Sequence, residues 1–106
     1  MGKVMFDLPK DIEFHGGFEM GEGRSASFPL EGYIQGTQVS VILYLDLSDV
    51  TVTITSEDNK EMEERTVSFS DSQAEIFNVS GYPKGTYTLS ITTSRGTNLY
   101  GSFIIQ

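Results

Sequence analysis

The chain contains no cysteine. Disulfides, thiolate nucleophiles and cysteine-held metals are therefore excluded, although the compartment stays open, because exported bacterial domains also do without cysteine. Histidine is scarce: His15, beside Phe14, is the single one. It has no second imidazole with which to build a transition-metal site. No serine stands in a nucleophile-elbow pattern that His15 could serve. Positive charge is scarce as well. Seven Lys and Arg stand against fifteen Asp and Glu, a formal net charge of -8. Such a balance repels phosphate backbones and anionic headgroups, so nucleic acid is not an expected partner.

Long apolar runs are missing too. Nothing approaches the roughly 18 consecutive apolar residues of a membrane-spanning helix, so no membrane span is expected. Met1 to Lys10 has no apolar core of signal-peptide length, and "MGKVMF" reads as an initiator with added residues ahead of a mature start. Residues 1–10 are thus expected to be a flexible or appended beginning from which a leader has been removed.

What is present is a strand code. With 106 residues, 38% of them hydrophobic and 11% aromatic, the chain is expected to form one domain, 1–106, with a core of its own. In "DVTVTITS", Val50, Val52 and Ile54 alternate with Thr51, Thr53 and Thr55, the period of two that marks a half-buried strand. "GTYTLSITT" repeats it with Tyr87, Leu89 and Ile91, and after the turn in "SRGTN" the row Leu99, Gly101, Phe103, Ile105 completes a closing hairpin. Gly101 in that row suggests a close approach by a neighbour. "VSVILYLDL" has apolar residues on both faces and reads as a central strand. "SASFPLEGYIQGTQ" reads as a strand interrupted by Pro29, which predicts an open edge there.

"SEDNKEMEERTV" has helical propensity but no sustained apolar stripe. Asp58, Asn59 and Lys60 are read instead as the tip of a hairpin, followed by further strands in "ERTVSF" and "AEIFNV". A first strand is expected around Ile12 to Phe14, and "HGGFEMGEGR" is read as a flexible connection. The sum is an all-β, immunoglobulin-like antiparallel β-sandwich of about seven or eight strands.

The candidate chemistry is sparse. The acidic group Glu57, Asp58, Glu61, Glu63 and Glu64 lacks the spacing and glycine of a calcium loop and reads as a solvated hairpin tip. Asp46 and Asp49 read as turn residues rather than a glycosidase pair. "GEGR" is not followed by a helix, so it makes no phosphate cradle. Asn78-Val79-Ser80 matches a glycan acceptor triplet that arises often by chance. Neither cofactor, metal nor catalytic residue is assigned, and no enzyme is expected. Tyr44 and Tyr100 point away from the main apolar rows of their strands, which makes them the candidate surface binding residues, with sugar stacking as the chemistry.

Gly17, Arg24-Ser25 and Pro29, then "LSDVTVTI", then "GYPKGTYTLSITTSRGTNLYGSFI" resemble the DUF3244 family of small exported Bacteroidetes proteins, over about Phe14 to Ile105. The resemblance implies an immunoglobulin-like sandwich, export to the periplasm or cell surface, and no catalytic residues to carry over. The last third is also similar to the C-terminal sorting domains of the type IX secretion system, but "GSFIIQ" lacks the basic tail those domains usually carry. The expectation is a non-catalytic interaction or structural module whose partner is another protein met at a sheet edge or loops. A small carbohydrate-binding module is the alternative. A soluble monomer or weak dimer is expected.

Overall fold

Alternation decides which side chains are buried, and the backbone ladder decides which strands share a sheet. The computed structural model describes residues 8–19 and 28–106. Its elements are β1 (Lys10–Ile12), β2 (His15–Gly17), β3 (Leu30–Gln35), β4 (Gln38–Leu43), β5 (Leu47–Ser56), β6 (Glu61–Phe69), β7 (Ala74–Asn78), β8 (Gly85–Thr92) and β9 (Asn98–Ile105). They form two antiparallel sheets, one ordered β1-β3-β4-β7 and the other β2-β9-β8-β5-β6. Each sheet has one apolar face, and the two faces bury each other: Val39, Val41, Leu43 and Phe77 from one sheet meet Val50, Val52, Ile54, Leu89, Ile91 and Leu99 from the other. The all-β immunoglobulin-like sandwich is what the alternation called for.

The inward positions read from the sequence are inward here. Val50, Val52, Ile54, Tyr87, Leu89, Ile91 and Phe103 are all buried. Tyr87 opens β8 and donates its hydroxyl to the carbonyl of Pro83 at 2.5 Å, the arrangement of a tyrosine corner. Its ring stacks on Phe103 with centroids 5.6 Å apart. The β5–β6 tip is a turn at Asn59, whose φ of 66° asparagine tolerates well. Ser56 Oγ accepts from the amides of Asp58 and Lys60 and closes that turn. Asp46 Oδ1 accepts from the Asp71 amide, while Asp49, at φ 54°, sits in a bulge of β5.

Two expectations are corrected. Pro29 does not interrupt a strand: β3 begins at Leu30, immediately after it, and pairs with β4 along its length, while β1 covers only Gly32–Ile34, so among the described residues the flank next to the proline is open on that side, as expected. A proline just before a strand costs no ladder bond, and its carbonyl here accepts from the Tyr44 amide at 2.8 Å. The first strand, expected around Ile12 to Phe14, is instead two strands, because the chain changes sheets at Glu13 and Phe14. The glycine-bearing His15–Gly17 forms β2 rather than a free connection. "GEGR" lies outside the described residues.

The change of sheets is permitted by two missing side chains. A Cβ on Gly101 would stand 2.6 Å from the Glu13 carbonyl oxygen and 2.7 Å from Ile12 Cγ2. One on Gly32 would stand 2.8 Å from the Phe14 ring. The crossing segment lies where those two methyls would be.

Candidate functional site

The two tyrosines singled out for binding do not come together. Tyr44 follows β4 on the four-stranded sheet and Tyr100 lies on β9 of the five-stranded sheet, so they belong to opposite layers. Both are exposed, at 46% and 48%. Tyr44 donates its hydroxyl to Glu31 at 3.0 Å, and that carboxylate holds the phenol pKa above its ordinary value. Tyr100 faces His15 across the β2–β9 pair with ring centroids 6.0 Å apart. Beside it the outer face carries hydroxyls in register: Thr53 opposite Ser90, Thr55 opposite Thr88, Thr88 opposite Ser102. Among the described residues, no group of three His, Asp or Glu side chains could hold a metal ion.

One lateral seam of the sandwich is closed by Arg65. On β6, Val67 and Phe69 continue through Arg65 and Glu63 at the same parity, so these charged groups face the other sheet. The Arg65 guanidinium lies 4.1 Å from the centroid of the buried Phe77 ring, a cation–π contact. It donates to the Ile76 carbonyl at 3.1 Å and to Glu63 at 2.6 Å, with Glu75 at 3.6 Å. The Ile76 carbonyl, on edge strand β7, is thereby occupied. The Glu63 carboxylate also accepts from the Tyr82 hydroxyl at 3.4 Å; burial first, and that negative charge second, raise the Tyr82 pKa.

A second polar knot fixes the end of β2. Glu19 accepts from the hydroxyls of Thr93 and Thr97 and from Arg95 Nε, and its own amide donates to Thr97 Oγ1 at 3.1 Å. Arg95 also donates to the Ser48 carbonyl at 2.6 Å. The two threonine hydroxyls, aided by Arg95, hold the Glu19 carboxyl down at about 2, from an ordinary 4.5. Its side chain is only 9% exposed. Sequence reading missed both knots because the Glu19 bonds span 74 to 78 residues and the Arg65 bonds to Ile76 and Glu75 cross from one sheet to the other. The inward parity of Arg65 was the one available signal.

Among the described residues, the other lateral seam is guarded by residues 10–17: β1 pairs with three of the six residues of β3, and β2 with three of the eight of β9. β1 covers β3 from Ile34 to Gly32, leaving the flank at Leu30 and Glu31 beside an open groove of about 440 Å³ lined by Asp11, Ile12, Glu13 and Gly32. β2 covers β9 from Asn98 to Tyr100, and among the described residues no strand pairs with the outer side of Ser102–Ile105. That stretch has the features edge strands usually avoid. It has no proline or glycine, and it lies in a run from Gly96 to Gln106 without a charged residue, in a chain of net charge -8. Ile104 is 56% exposed.

Two comparisons with known proteins bear on this architecture. A domain-of-unknown-function family model, DUF3244, matches residues 11–105. A crystal structure of a DUF3244 family protein from Bacteroides vulgatus, described as an immunoglobulin-like β-sandwich, is similar with a TM-score of 0.79. It is 20% identical in sequence, and the match covers 93% of this chain and 100% of that one. No curated protein matches the chain. With the match spanning nearly its whole length, the chain belongs to the DUF3244 family, a family of unknown function.

Proposed function

We propose that this protein is a non-catalytic interaction module of the bacterial periplasm or cell surface that takes up an extended segment of another protein along the open half of β9. The observation that carries the reading is the contrast between edges. The β6–β7 seam is occupied by Arg65, whereas Ser102–Ile105 is uncharged, partly apolar and, among the described residues, paired with no strand on its outer side. A strand with free amides and carbonyls on one side is completed by main-chain hydrogen bonds from a guest strand, with neighbouring side chains supplying selectivity. Export rests on the family resemblance and on the occurrence of a family member in Bacteroides.

The test is site-specific photo-crosslinking in the native cell envelope. A photoreactive side chain at Ser102 is expected to capture a defined envelope protein, and the same group at Glu61 on β6 is not. Equal capture from both positions, or none from Ser102, sinks the reading. Fractionation of the native gene product tests the location: recovery in the cytoplasm overturns it.

A carbohydrate reading is favoured by one observation, the Tyr100–His15 ring pair beside the in-register hydroxyls of Thr53, Ser90 and Ser102. Tyr100→Ala should then abolish signals on a glycan array. An array without wild-type signals removes this alternative.

A further inference from the structure

We infer that the guest segment is an alternating one, with apolar side chains at two positions, i and i+2, that enter a vacancy between β9 and β1. This inference rests on the edge-binding reading above and specifies what the edge selects.

The vacancy follows from the change of sheets. Up to Ile12 the segment lines the edge of the four-stranded sheet, and from His15 onward it lines the edge of the five-stranded sheet. Beside Ser102–Ile105 the four-stranded layer therefore keeps its edge strand, while among the described residues the five-stranded layer has none. The two flanks can be aligned. Ile12 meets β9 at Gly101, and β2 runs antiparallel to β9, so stepping back from Ile12 moves in the same direction as stepping forward from Gly101. Four residues of extended chain span about 13 Å on either side. Leu8 is thus brought to the level of Ile105.

By alternation Leu8 and Lys10 share the parity of the buried Ile12, the side turned toward the opposite layer. Leu8 is nevertheless 72% exposed, the most exposed large hydrophobic among the described residues. Opposite it, Phe103 and Ile105 are the inward residues of β9, and Ile105 is only partly buried. A strand added beside β9 places every second side chain inward. One would fall beside Phe103 at the level of Lys10, the next beside Ile105 and Leu8. Apolar side chains there remove Leu8 and Ile105 from water, while Lys10 lays its aliphatic stem along the first and extends its ammonium outward. The intervening guest residues join the outer face beside Ser102 and Ile104. Charge narrows the choice further, because a net charge of -8 disfavours an acidic segment. A second copy of this chain carries the same charge and is a poorer guest than a neutral or basic one.

Two synthetic peptides test this, an alternating Val-Thr-Val-Thr-Val-Lys and a scrambled Val-Val-Thr-Thr-Val-Lys that has no apolar pair at i and i+2, titrated into the protein while backbone amide signals are followed by NMR. The alternating peptide is expected to shift and protect the amides of Ser102–Ile105, and to bind at least about tenfold more tightly than the scrambled one. Leu8→Ala should weaken the alternating peptide by about tenfold, roughly 1.4 kcal/mol. Leu8 is exposed, so folding is not at stake. If both peptides protect Ser102–Ile105 equally and Leu8→Ala changes neither, the alternating preference is wrong while edge binding stands. If neither peptide touches Ser102–Ile105, or the protein alone dimerises through those amides, both readings fall.

Discussion

Glu19 is a carboxylate that accepts from two threonine hydroxyls and the Arg95 guanidinium, and its pKa sets when those bonds to the ionised form are lost. Because its folded pKa, about 2, lies below the ordinary 4.5, ionised Glu19 stabilises the fold above pH 4.5. That contribution is lost as pH falls through about 2. Glu19→Gln keeps the shape but not the charge. Its thermal midpoint is expected to lie below wild type at pH 7, and the gap to close as both are melted at successively lower pH toward 2. A gap independent of pH would contradict the ionised network. Tyr87→Phe keeps the stacked ring and removes only the bond to the Pro83 carbonyl, so a cost of about 0.5–1.5 kcal/mol is expected in denaturant titration. Tyr87 was legible as an inward residue from its alternation with Leu89 and Ile91. Its hydroxyl partner was not, because parity says which way a ring points and nothing about what meets its far end.

At the scale of elements, the first six strand residues, three in β1 and three in β2, explain most of what sequence reading missed. Periodicity needs several turns of the pattern to be visible, and three-residue strands such as β1 and β2 offer one alternation each. The closing hairpin offered eight residues on each side, and its faces and its turn emerged intact. Gly101 was legible as a point of close approach, although the approaching group, the crossing at Ile12 and Glu13, was not. Gly101→Ala is expected to displace that crossing: a Cβ 2.6 Å from a backbone oxygen has no flexible neighbour to push aside. Faster amide exchange in both β1 and β2 should report it. Gly17→Ala, where nothing lies within 4 Å, serves as the control and should leave exchange unchanged.

For the whole molecule, alternation identified the buried rows but not their distribution between layers, since a strand of either sheet carries the same code. Tyr44 and Tyr100 were legible as outward residues of their own strands, but not as belonging to opposite sheets. Pro29 was read as interrupting a strand on the same kind of local argument, whereas β3 starts after it, with its first two residues open on the β1 side among the described residues. The buried rows themselves act together: Leu89, fully buried between neighbours from both sheets, is expected to cost about 2–5 kcal/mol on replacement by alanine. Against a total stability of about 5–15 kcal/mol the denaturation midpoint should fall plainly. Charge acts on the surface in the opposite sense. The protein is expected to sediment as a monomer at low salt, with any edge-to-edge association appearing only when salt shortens the screening length from about 10 Å at 0.1 M to about 3 Å at 1 M. A tight oligomer at both salt concentrations would contradict this.

The segment that changes sheets also has a mechanical consequence. A pull on residue 8 directed away from the sandwich loads the three β1–β3 residue pairs one after another, as a zipper is loaded, and the crossing at Glu13 and Phe14 must swing out before any tension reaches β2. Behind β2 stands the Glu19 knot, which ties the strand's far end to the β8–β9 turn. Tension entering from that side is therefore spent in two unequal steps, a weak one that opens the four-stranded layer's margin and a stronger one at the knot. The first step acts as a fuse, yielding and re-forming while β3 to β9 stay closed.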